Sequence, residues 1–285
     1  MNFKLKITNS IIAHTLVKNE ARFLWYSVSS VVDHVDKILL WDTGSTDGSL
    51  EIEKEIEKRW PEKIELKNFS VQKFDEEAIR QQMLDETSSD WFIVVDADEI
   101  WWEDSIKKVT DLIKEKGNEL ESIVVPTINP VGDIFHRQEE QAGKYHIAGK
   151  VGHYNLRAVK RSIPGLHVEG PHGKMTFADE NGISIQDRDA NKIAFLDAPY
   201  LHTTYLQRAK GNLDKEVVKR IKKRKYEIGL SLPKDFYYPE VLFMPRPESV
   251  VSPWRRMGLG FKIRAAIETP LRKIKRRLWH GGVGY

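Results

Sequence analysis

The 285-residue chain contains no cysteine. Disulfide bridges, thiolate metal sites and cysteine nucleophiles are therefore excluded, and any metal ion must bind to Asp, Glu, His or backbone oxygen. The chain also lacks an apolar run long enough to cross a bilayer. Its first residues are charged and no apolar segment follows them, so no secretory signal is expected. These absences predict a cytoplasmic protein that at most lies on a membrane surface.

Positive charge is concentrated towards the C-terminus. Residues 246–285 hold ten Lys or Arg and two Glu, a local charge of +8, which leaves −5 for the rest of a chain whose net charge is +3. Within this region, residues 254–279 alternate apolar side chains with Lys and Arg. Such a stretch is typical of an element in the headgroup region of an anionic membrane, where each cation contributes about 1 kcal/mol. The alternative is a helix packed on the protein or on a second copy, and Pro270 is expected to divide it into two helices.

The first half of the chain alternates strand-like and helix-like segments. Apolar runs predict strands at residues 11–17, 37–41, 63–69, 91–95 and 122–125. Amphipathic spacing predicts helices over residues 24–35, 50–59, 76–86 and 104–116. This alternation predicts an α/β fold with a mostly parallel central sheet flanked by helices. The second half is expected to contain a hairpin around residues 162–165, a strand at 193–196 and a helix from about Tyr205 to Lys225.

Polar residues cluster where three of these strands end, at residues 15–20, 42–47 and 96–99. In a parallel sheet, ligands bind at the carboxyl ends of the strands. The three clusters are therefore expected to lie along one edge of the sheet and to form the functional site.

The third cluster holds Asp96, Asp98 and Glu99, directly after a buried run. Two carboxylates about 4 Å apart repel by about 4 kcal/mol at an effective dielectric near 20, so a compensating cation is expected. Oxygen ligands favour Mg²⁺ or Mn²⁺, which also bind the oxygens of a diphosphate. A solvated acidic loop before a helix is the alternative interpretation.

The second cluster begins with Asp42, a fixed acceptor placed to bind the N–H of uracil or a similar base. The residues that follow also have the composition of a tight turn, in which Asp47 caps the next helix. Both interpretations hold together, because the turn is what presents Asp42.

The three clusters occur in the order and at the spacing of a known family. Their sequences are Leu16-Val17-Lys18-Asn19-Glu20, Asp42-Thr43-Gly44-Ser45-Thr46-Asp47-Gly48-Ser49 and Asp96-Ala97-Asp98-Glu99. Together they resemble the family 2 glycosyltransferases of the GT-A fold, closely over residues 10–127 and loosely over 150–210.

The resemblance implies a nucleotide-diphosphate-sugar donor, with UDP-sugars favoured, and inversion at the anomeric carbon by direct displacement. It implies a divalent metal, Mn²⁺ or Mg²⁺, at Asp96 and Asp98. It also implies that Thr15, Glu20 and Asp42 line the nucleoside pocket and that Asp96 contacts the donor.

The same resemblance suggests a division of the chain. Residues 1–228 would form the GT-A catalytic domain, with the nucleotide-sugar half at about 10–127 and the acceptor half at about 128–228. Residues 229–285 would form a Pro-containing linker and a basic, helical C-terminal extension.

An inverting reaction needs a general base to deprotonate the acceptor hydroxyl. The segment Gly165-Leu166-His167-Val168-Glu169-Gly170 resembles a His-then-Glu region that members of the family carry after an Arg-containing strand, here the strand of Arg157. Glu169 is the first candidate for the base. The alternatives are Asp179, Glu180, Asp187 and Asp189, and each is equally explained as a surface carboxylate.

His202 follows a strand-like run, at a place where GT-A enzymes often carry a histidine near the metal or diphosphate. It is predicted to bind the metal, with a purely structural histidine as the alternative. Arg208 and Lys210 are candidates for neutralising the leaving diphosphate, although a solvated helix face explains them as well.

The sequence therefore favours a metal-dependent glycosyltransferase of cell-envelope or surface polysaccharide synthesis, acting on a glycan, lipid-linked or protein acceptor. A sugar nucleotidyltransferase is the first alternative, but residues 16–20 lack the glycine of its phosphate-binding loop. A non-enzymatic nucleic-acid-binding protein acting through the basic C-terminus is the second. No recognised nucleic-acid module is visible, so no specific nucleic-acid partner is expected.

Overall fold

The computed structural model describes residues 9–69, 75–170, 175–217 and 220–278. In this part of the chain the helices are α1 (Leu24–Ser29), α2 (Ser49–Arg59), α3 (Glu76–Asp85), α4 (Glu103–Lys116), α5 (Arg220–Lys223) and α6 (Leu259–Leu278). The first strands are β1 (Ile11–Val17), β2 (Lys37–Asp42), β3 (Ile64–Asn68), β4 (Trp91–Val94), β5 (Glu99–Trp101), β6 (Ser122–Ile128), β7 (Pro130–Val131) and β8 (Asp133–Arg137). They are followed by β9 (Tyr145–Ile147), β10 (Lys150–Gly152), β11 (Tyr154–Lys160), β12 (His167–Glu169), β13 (Thr176–Ala178), β14 (Ile193–Phe195), β15 (Tyr200–His202) and β16 (Leu230–Ser231).

The central sheet has the order β3-β2-β1-β4-β11-β6-β15-β5, and β14 pairs with β6 beside this path. Strands β3, β2, β1 and β4 run parallel to one another, whereas β11 runs antiparallel to both β4 and β6. The predicted α/β fold with a mostly parallel sheet is confirmed. Strand β12 lies outside this sheet and pairs with β13.

The strands of the sheet centre are buried on both faces. Along β4, Trp91 and Ile93 belong to the main core, whereas Phe92 and Val94 face a second cluster that contains Val168. Successive strand residues point to opposite faces, so this split follows directly from the pleat. Packing on both faces explains why β4 is an unbroken apolar run.

The parallel register brings the predicted strand ends together. Val17 pairs with Asp42 at the ends of β1 and β2, and His14 pairs with Val94 of β4. The Thr43 N–H donates to the Val17 carbonyl at 3.0 Å. The loops that follow β1, β2 and β4 therefore leave the sheet at one edge, as the sequence predicts.

Helix α1 is shorter than predicted. It ends at Ser29, and the predicted continuation through Val32 to Val35 is wrong, although both valines remain buried in turns. The Ser30 hydroxyl donates to the Ser27 carbonyl at 2.7 Å and accepts the Trp101 N–H at 3.1 Å. This side chain ties the chain to β5, a long-range contact that periodicity does not reveal.

The predicted helix from Tyr205 to Lys225 is also wrong. Within the described residues only Arg220–Lys223 is α-helical there. The Arg208 carbonyl accepts the Arg22 N–H at 3.0 Å, and the Ala209 N–H donates to the Asp214 carboxylate at 3.0 Å. These backbone groups are engaged elsewhere and cannot form helical hydrogen bonds.

The predicted hairpin at residues 162–165 is a turn whose flanking strands do not pair, since β11 pairs with β4 and β6 and β12 with β13. The predicted break at Pro270 is wrong, because α6 continues through it. Proline removes one hydrogen bond, here to the carbonyl of Ala266, which is exposed and accessible to water. The Thr269 hydroxyl adds a bond to the Ala265 carbonyl at 2.6 Å.

The proline-containing segment between β16 and α6 packs against the main core through its apolar side chains. The buried ones are Tyr238, Val241, Leu242 and Val250. Among the described residues, no helix has the length and apolarity that crossing a membrane requires.

Candidate active site

A cavity of about 410 Å³ opens at the carboxyl ends of β1 and β4. Part of its wall is apolar and comes from Leu16, Val94, Leu156, Val168, Phe177 and Ile185. The other part is charged and comes from Lys18, Glu20, Glu76, Arg80, Asp96, Asp98, Arg157, His202, Arg208 and Arg220. The strand ends thus meet charged side chains from the second half of the chain.

Asp96 lies between two arginines. Its Oδ1 is 2.9 Å from Arg80 Nη2, and its Oδ2 is 3.5 Å from Arg157 Nη2. Burial by itself would raise the pKa of Asp96, but the two guanidiniums outweigh it and hold that pKa below its usual range. Asp96 is therefore ionised at neutral pH.

Asp98 is buried and pairs with the guanidinium of Arg208. Its pKa is lowered, because Arg208 together with His202 outweighs the effect of burial. The His202 Nε2 lies 3.6 Å from Asp98 Oδ2. Burial lowers the pKa of His202 to about 4, so its imidazole is neutral at pH 7 and keeps a lone pair.

Glu99 is fully buried on β5, where it pairs with Arg157 and accepts the Tyr200 hydroxyl at 2.9 Å. Burial raises the pKa of Glu99 to about 8, although Arg157 opposes that shift. Arg157 therefore bridges Glu99 and Asp96. The sequence marked Arg157 only as part of a strand.

Glu20 is held by two arginines from the second half of the chain. Its Oε1 is 3.1 Å from Arg208 and 2.5 Å from Arg220. Burial raises the pKa of Glu20 to about 8, against the opposing effect of both guanidiniums. Arg220 also donates to the Lys18 carbonyl at 2.7 Å, so α5 fixes the loop after β1.

The other two residues predicted for the nucleoside pocket, Thr15 and Asp42, are fully buried and are not among the described residues that line the cavity. Asp42 Oδ1 accepts the N–H groups of Gly44 and Ser45 at 2.6 and 2.7 Å. Asp47 accepts the Ser49 N–H at 3.1 Å at the start of α2. The predicted turn is present, with the Asp42 carboxylate as its centre.

Glu169 lies on β12 with its side chain 42% exposed, 3.8 Å from His167 Nε2. The neighbouring Val168 lines the cavity. The four alternative candidates for the general base differ in their surroundings. Asp179 is buried and paired with Arg188, Asp189 accepts the Asn191 N–H at 3.0 Å, and Glu180 and Asp187 are exposed.

Sequence reasoning missed Arg80 and Arg220, and it proposed Arg208 and Lys210 together. Arg208 is buried in the cavity wall, whereas Lys210 is exposed. The missed arginines have no local motif. The only signal was the acidic cluster itself, which requires positive charge without indicating where in the chain it lies.

No group of three or more His, Asp or Glu side chains in the described ranges is arranged to hold a metal ion. The Asp98 carboxylate is a ligand type that Mn²⁺ and Mg²⁺ sites use, and the neutral His202 imidazole, 3.6 Å from it, is a nitrogen donor that suits Mn²⁺ better than Mg²⁺. These two residues fit a divalent ion whose remaining ligands are water and phosphate oxygens.

The family described as Glycosyl transferase family 2 matches residues 13–175, which is more than half of the chain. The chain belongs to this glycosyltransferase family. The resemblance predicted from three short motifs is thereby confirmed. The match includes Asp42, Asp96, Asp98 and Glu169, whereas His202, Arg208 and Arg220 lie beyond it in sequence and reach the same cavity only through the fold.

A curated relative is the TPR repeat-containing protein Synpcc7942_0270 of Synechococcus elongatus, 27% identical over 176 residues. That alignment covers 62% of this chain, and the chain spans only 37% of the relative's length.

Two solved structures have similar folds. S. aureus TarS 1-349 in complex with UDP-GlcNAc has a TM-score of 0.47 and 12% identity, covering 73% of this chain and 62% of TarS. The mannosyltransferase PcManGT of Pyrobaculum calidifontis, in complex with GDP-Man and Mn²⁺, has a TM-score of 0.42 and 13% identity, covering 73% and 60%. These scores are low, so the family membership rests on the sequence match.

Proposed function

We propose that this chain is an inverting glycosyltransferase that moves a sugar from a nucleotide-diphosphate-sugar, with UDP-sugars favoured, to an acceptor hydroxyl. The supporting observation is the cavity whose wall contains Asp96, Asp98, Arg208 and Arg220 beside apolar side chains. Pockets that combine apolar walls with a few convergent charged groups are typical of small-molecule sites. The charged part suits a diphosphate, and the apolar part suits a base or sugar.

Arg208 and Arg220 are the proposed partners of the donor diphosphate. A guanidinium carries five N–H donors and binds phosphate oxygens bidentately. Both arginines share Glu20 in this structure, so they are held in place before a donor binds. Binding to a fixed guanidinium loses less side-chain entropy than binding to a free one.

Asp98 and His202 are the proposed metal ligands, with Asp96 beside them. Asp96 Oδ2 is the oxygen with the longer arginine contact, 3.5 Å, and is the one that would turn to the ion or its water. A bound Mn²⁺ or Mg²⁺ would neutralise negative charge on the leaving diphosphate. The site residues would orient the donor and exclude water from the anomeric carbon.

Glu169 is the proposed general base. Its carboxylate would take the proton of the acceptor hydroxyl while that oxygen forms a bond to the anomeric carbon. The bond from this carbon to the diphosphate oxygen breaks at the same time, and its electron pair leaves with the nucleoside diphosphate. Attack opposite to the leaving group inverts the anomeric centre.

Glu20 is proposed to line the nucleoside side of the cavity, and the buried Thr15 and Asp42 are proposed to support that side without lining it. Because Asp42 is buried and bound to the Gly44 and Ser45 N–H groups, it would act by fixing the turn that carries Thr43, which lines the cavity. The proposed reaction serves envelope or surface polysaccharide synthesis, and its acceptor is a glycan, a lipid-linked molecule or a protein. The proposed location is the cytoplasm, including contact with the cytoplasmic membrane face.

The test measures nucleotide binding by its effect on the melting temperature. UDP with Mn²⁺ should raise the melting temperature of the wild-type protein, because a ligand at 100 times its Kd stabilises the folded state by about 2.7 kcal/mol. Asp98→Asn should remove this shift. The matched control is Asp104→Asn, whose carboxylate is 73% exposed on α4 and should leave the shift unchanged.

A panel of sugar nucleotides, with release of UDP or GDP as the signal, would then identify the donor. A wild-type protein that shows no metal-dependent nucleotide binding would contradict the proposal. Pyrophosphate release from a nucleoside triphosphate and a sugar phosphate would favour a nucleotidyltransferase. Salt-dependent binding to DNA without any nucleotide effect would favour nucleic-acid binding through the basic C-terminus.

A further inference from the structure

Helix α6 is fixed to the protein by its polar face. Arg276 makes a bidentate ion pair with the buried Glu227, with both N–O distances 2.6 Å. The Thr269 hydroxyl accepts the Ile228 N–H at 2.8 Å, and Lys273 lies 2.7 Å from Glu139. These contacts determine which side of the helix faces outwards.

The outward face of α6 is apolar. Six side chains spaced three or four residues apart form one stripe, and each is between 53% and 74% exposed: Leu259, Ile263, Ile267, Leu271, Ile274 and Leu278. A surface helix of a globular protein normally turns its apolar stripe towards the core. Here the arrangement is reversed, and contiguous exposed apolar surface of this kind marks an interaction site.

The charges beside the stripe decide what it contacts. Helical geometry places Lys275 along one side of it and Lys262 along the other, whereas Arg264 and Lys273, on the same two sides, are paired with Glu268 and Glu139 at 2.7 Å each. The sole acid of α6, Glu268, is engaged by Arg264 and Arg272 at 2.7 Å each. Pairing two copies of α6 through the stripe would bring the exposed Lys262 and Lys275 of both copies together, whereas an anionic lipid surface would neutralise them.

A second feature lies where α6 begins. A pocket of about 110 Å³ is lined there by Met257 and Phe261 and by four arginines, Arg22, Arg224, Arg255 and Arg256. Its one carboxylate among the described residues, Asp133, is already bound to the Met257 N–H at 2.9 Å and to His136 at 2.6 Å.

Among the described residues, no carboxylate lies within ion-pair distance of the four arginines of this pocket. Arg256 lies over the Phe135 ring at 4.9 Å and Arg224 over the Tyr226 ring at 5.5 Å, so aromatic rings rather than acids position them. Guanidinium groups are the side chains best suited to bind phosphate oxygens. The pocket therefore suits one phosphate group, and its Phe261 lies in the first turn of α6.

We propose that α6 docks this protein onto an anionic phospholipid bilayer, with its apolar stripe at the boundary of headgroups and acyl chains and a lipid phosphate in the arginine pocket. This docking would provide the proposed contact with the membrane face. It does not depend on the sugar-transfer reaction. A helix with an apolar face and a basic face lies in the plane of the interface. Its binding strength grows with the buried apolar area and with the attraction of its cations to anionic lipids.

The test is co-sedimentation of the full chain with vesicles of phosphatidylcholine, with and without phosphatidylglycerol. The wild-type protein should bind only the anionic vesicles, and salt should weaken binding. Ile267→Asp combined with Leu271→Asp should abolish it. Arg255→Gln with Arg256→Gln should weaken it about 30-fold, because each cation near such a surface contributes about fivefold.

Two control variants match these changes. Val151→Asp alters a side chain that is 65% exposed on β10, and Lys54→Gln with Lys58→Gln removes two exposed cations from α2. Both should bind vesicles like the wild type. All substituted side chains are exposed, and unchanged melting temperatures would confirm that each variant folds.

Three outcomes would overturn the proposal. The first is equal binding to vesicles with and without phosphatidylglycerol. The second is that the wild-type protein binds no vesicles and is a dimer by analytical ultracentrifugation, whereas the variant with Ile267→Asp and Leu271→Asp is a monomer. The third is stabilisation by inorganic phosphate, lost in the Arg255 and Arg256 variant, without vesicle binding. Nucleotide-dependent stabilisation, measured on the same samples, reports separately on the proposed enzymatic function.

Discussion

Asp98 and Arg208 form a buried ion pair across 110 positions of the chain. The pair connects the loop after β4 to the segment that follows β15, and it occupies the wall of the cavity. Arg208 is shared with Glu20 after β1. One guanidinium thus joins two of the three strand-end clusters, and its loss should affect both folding and donor binding.

Arg208→Met tests this connection. The substitution removes the cation that Asp98 and Glu20 share in a buried site, so that Glu20 keeps only Arg220. Removing one partner of a buried pair typically costs about 3–5 kcal/mol of stability, so urea unfolding should show a loss of that size. Lys210→Met, which removes an exposed cation two residues away, should change stability by less than about 0.5 kcal/mol. Equal effects of the two variants would contradict the assigned role.

Glu169→Gln tests the general base. The glutamine side chain has the same shape but cannot accept a proton at neutral pH, so turnover should fall by about 10²- to 10⁴-fold. The rise in melting temperature that UDP and Mn²⁺ cause should be unchanged. Glu180→Gln, which changes an exposed carboxylate, is the control and should leave turnover unchanged. Unchanged turnover of Glu169→Gln would eliminate this residue as the base.

Glu53 should make stability depend on pH. Burial, and then the neighbouring Asp42, raise the pKa of Glu53 to about 10 from an ordinary value of 4.5. Between these values only the unfolded chain loses the proton, so the stability contributed by this group falls as pH rises, by up to about 1.4 kcal/mol per pH unit. Glu53→Gln should remove that slope, and its free energy of unfolding should rise relative to the wild type from pH 5 to pH 9. Glu51→Gln, on the exposed side of α2, should follow the wild-type curve.

Substitutions of two adjacent arginines of α6 should differ sharply in their effect on the stability of the protein. Arg276→Ala leaves the fully buried Glu227 without its bidentate partner, and a loss of about 3–5 kcal/mol is expected. Arg277→Ala removes an exposed cation and should leave the thermal unfolding transition nearly unchanged. If both variants unfold like the wild type, the ion pair does not hold α6 to the protein.

Much of the catalytic half could be predicted from local patterns. The run Trp91–Val94 is apolar because the strand is buried on both faces, and a strand of this kind needs no distant partner to be recognised. The acidic residues after it lie at the predicted edge because parallel pairing brings strand ends together. The family motifs depend on this same short-range order.

Helix boundaries in the second half could not be predicted in this way. Residues around Arg208 and Ala209 have an acceptable helical pattern, but their backbone groups bond to Arg22 and Asp214 instead. The propensity of a segment is a weak signal, which a few long-range hydrogen bonds outweigh.

The sequence by itself determined the α/β fold, the family and the acidic edge of the site, because strand burial, turn composition and motif order are properties of neighbouring residues. Only the tertiary structure decided which cations meet these acids, since Arg80, Arg157 and Arg208 approach them from separate elements. It also decided which side of α6 faces outwards. The apolar stripe is visible in the sequence, but its exposure follows from the Arg276–Glu227 pair, which joins parts of the chain 49 residues apart.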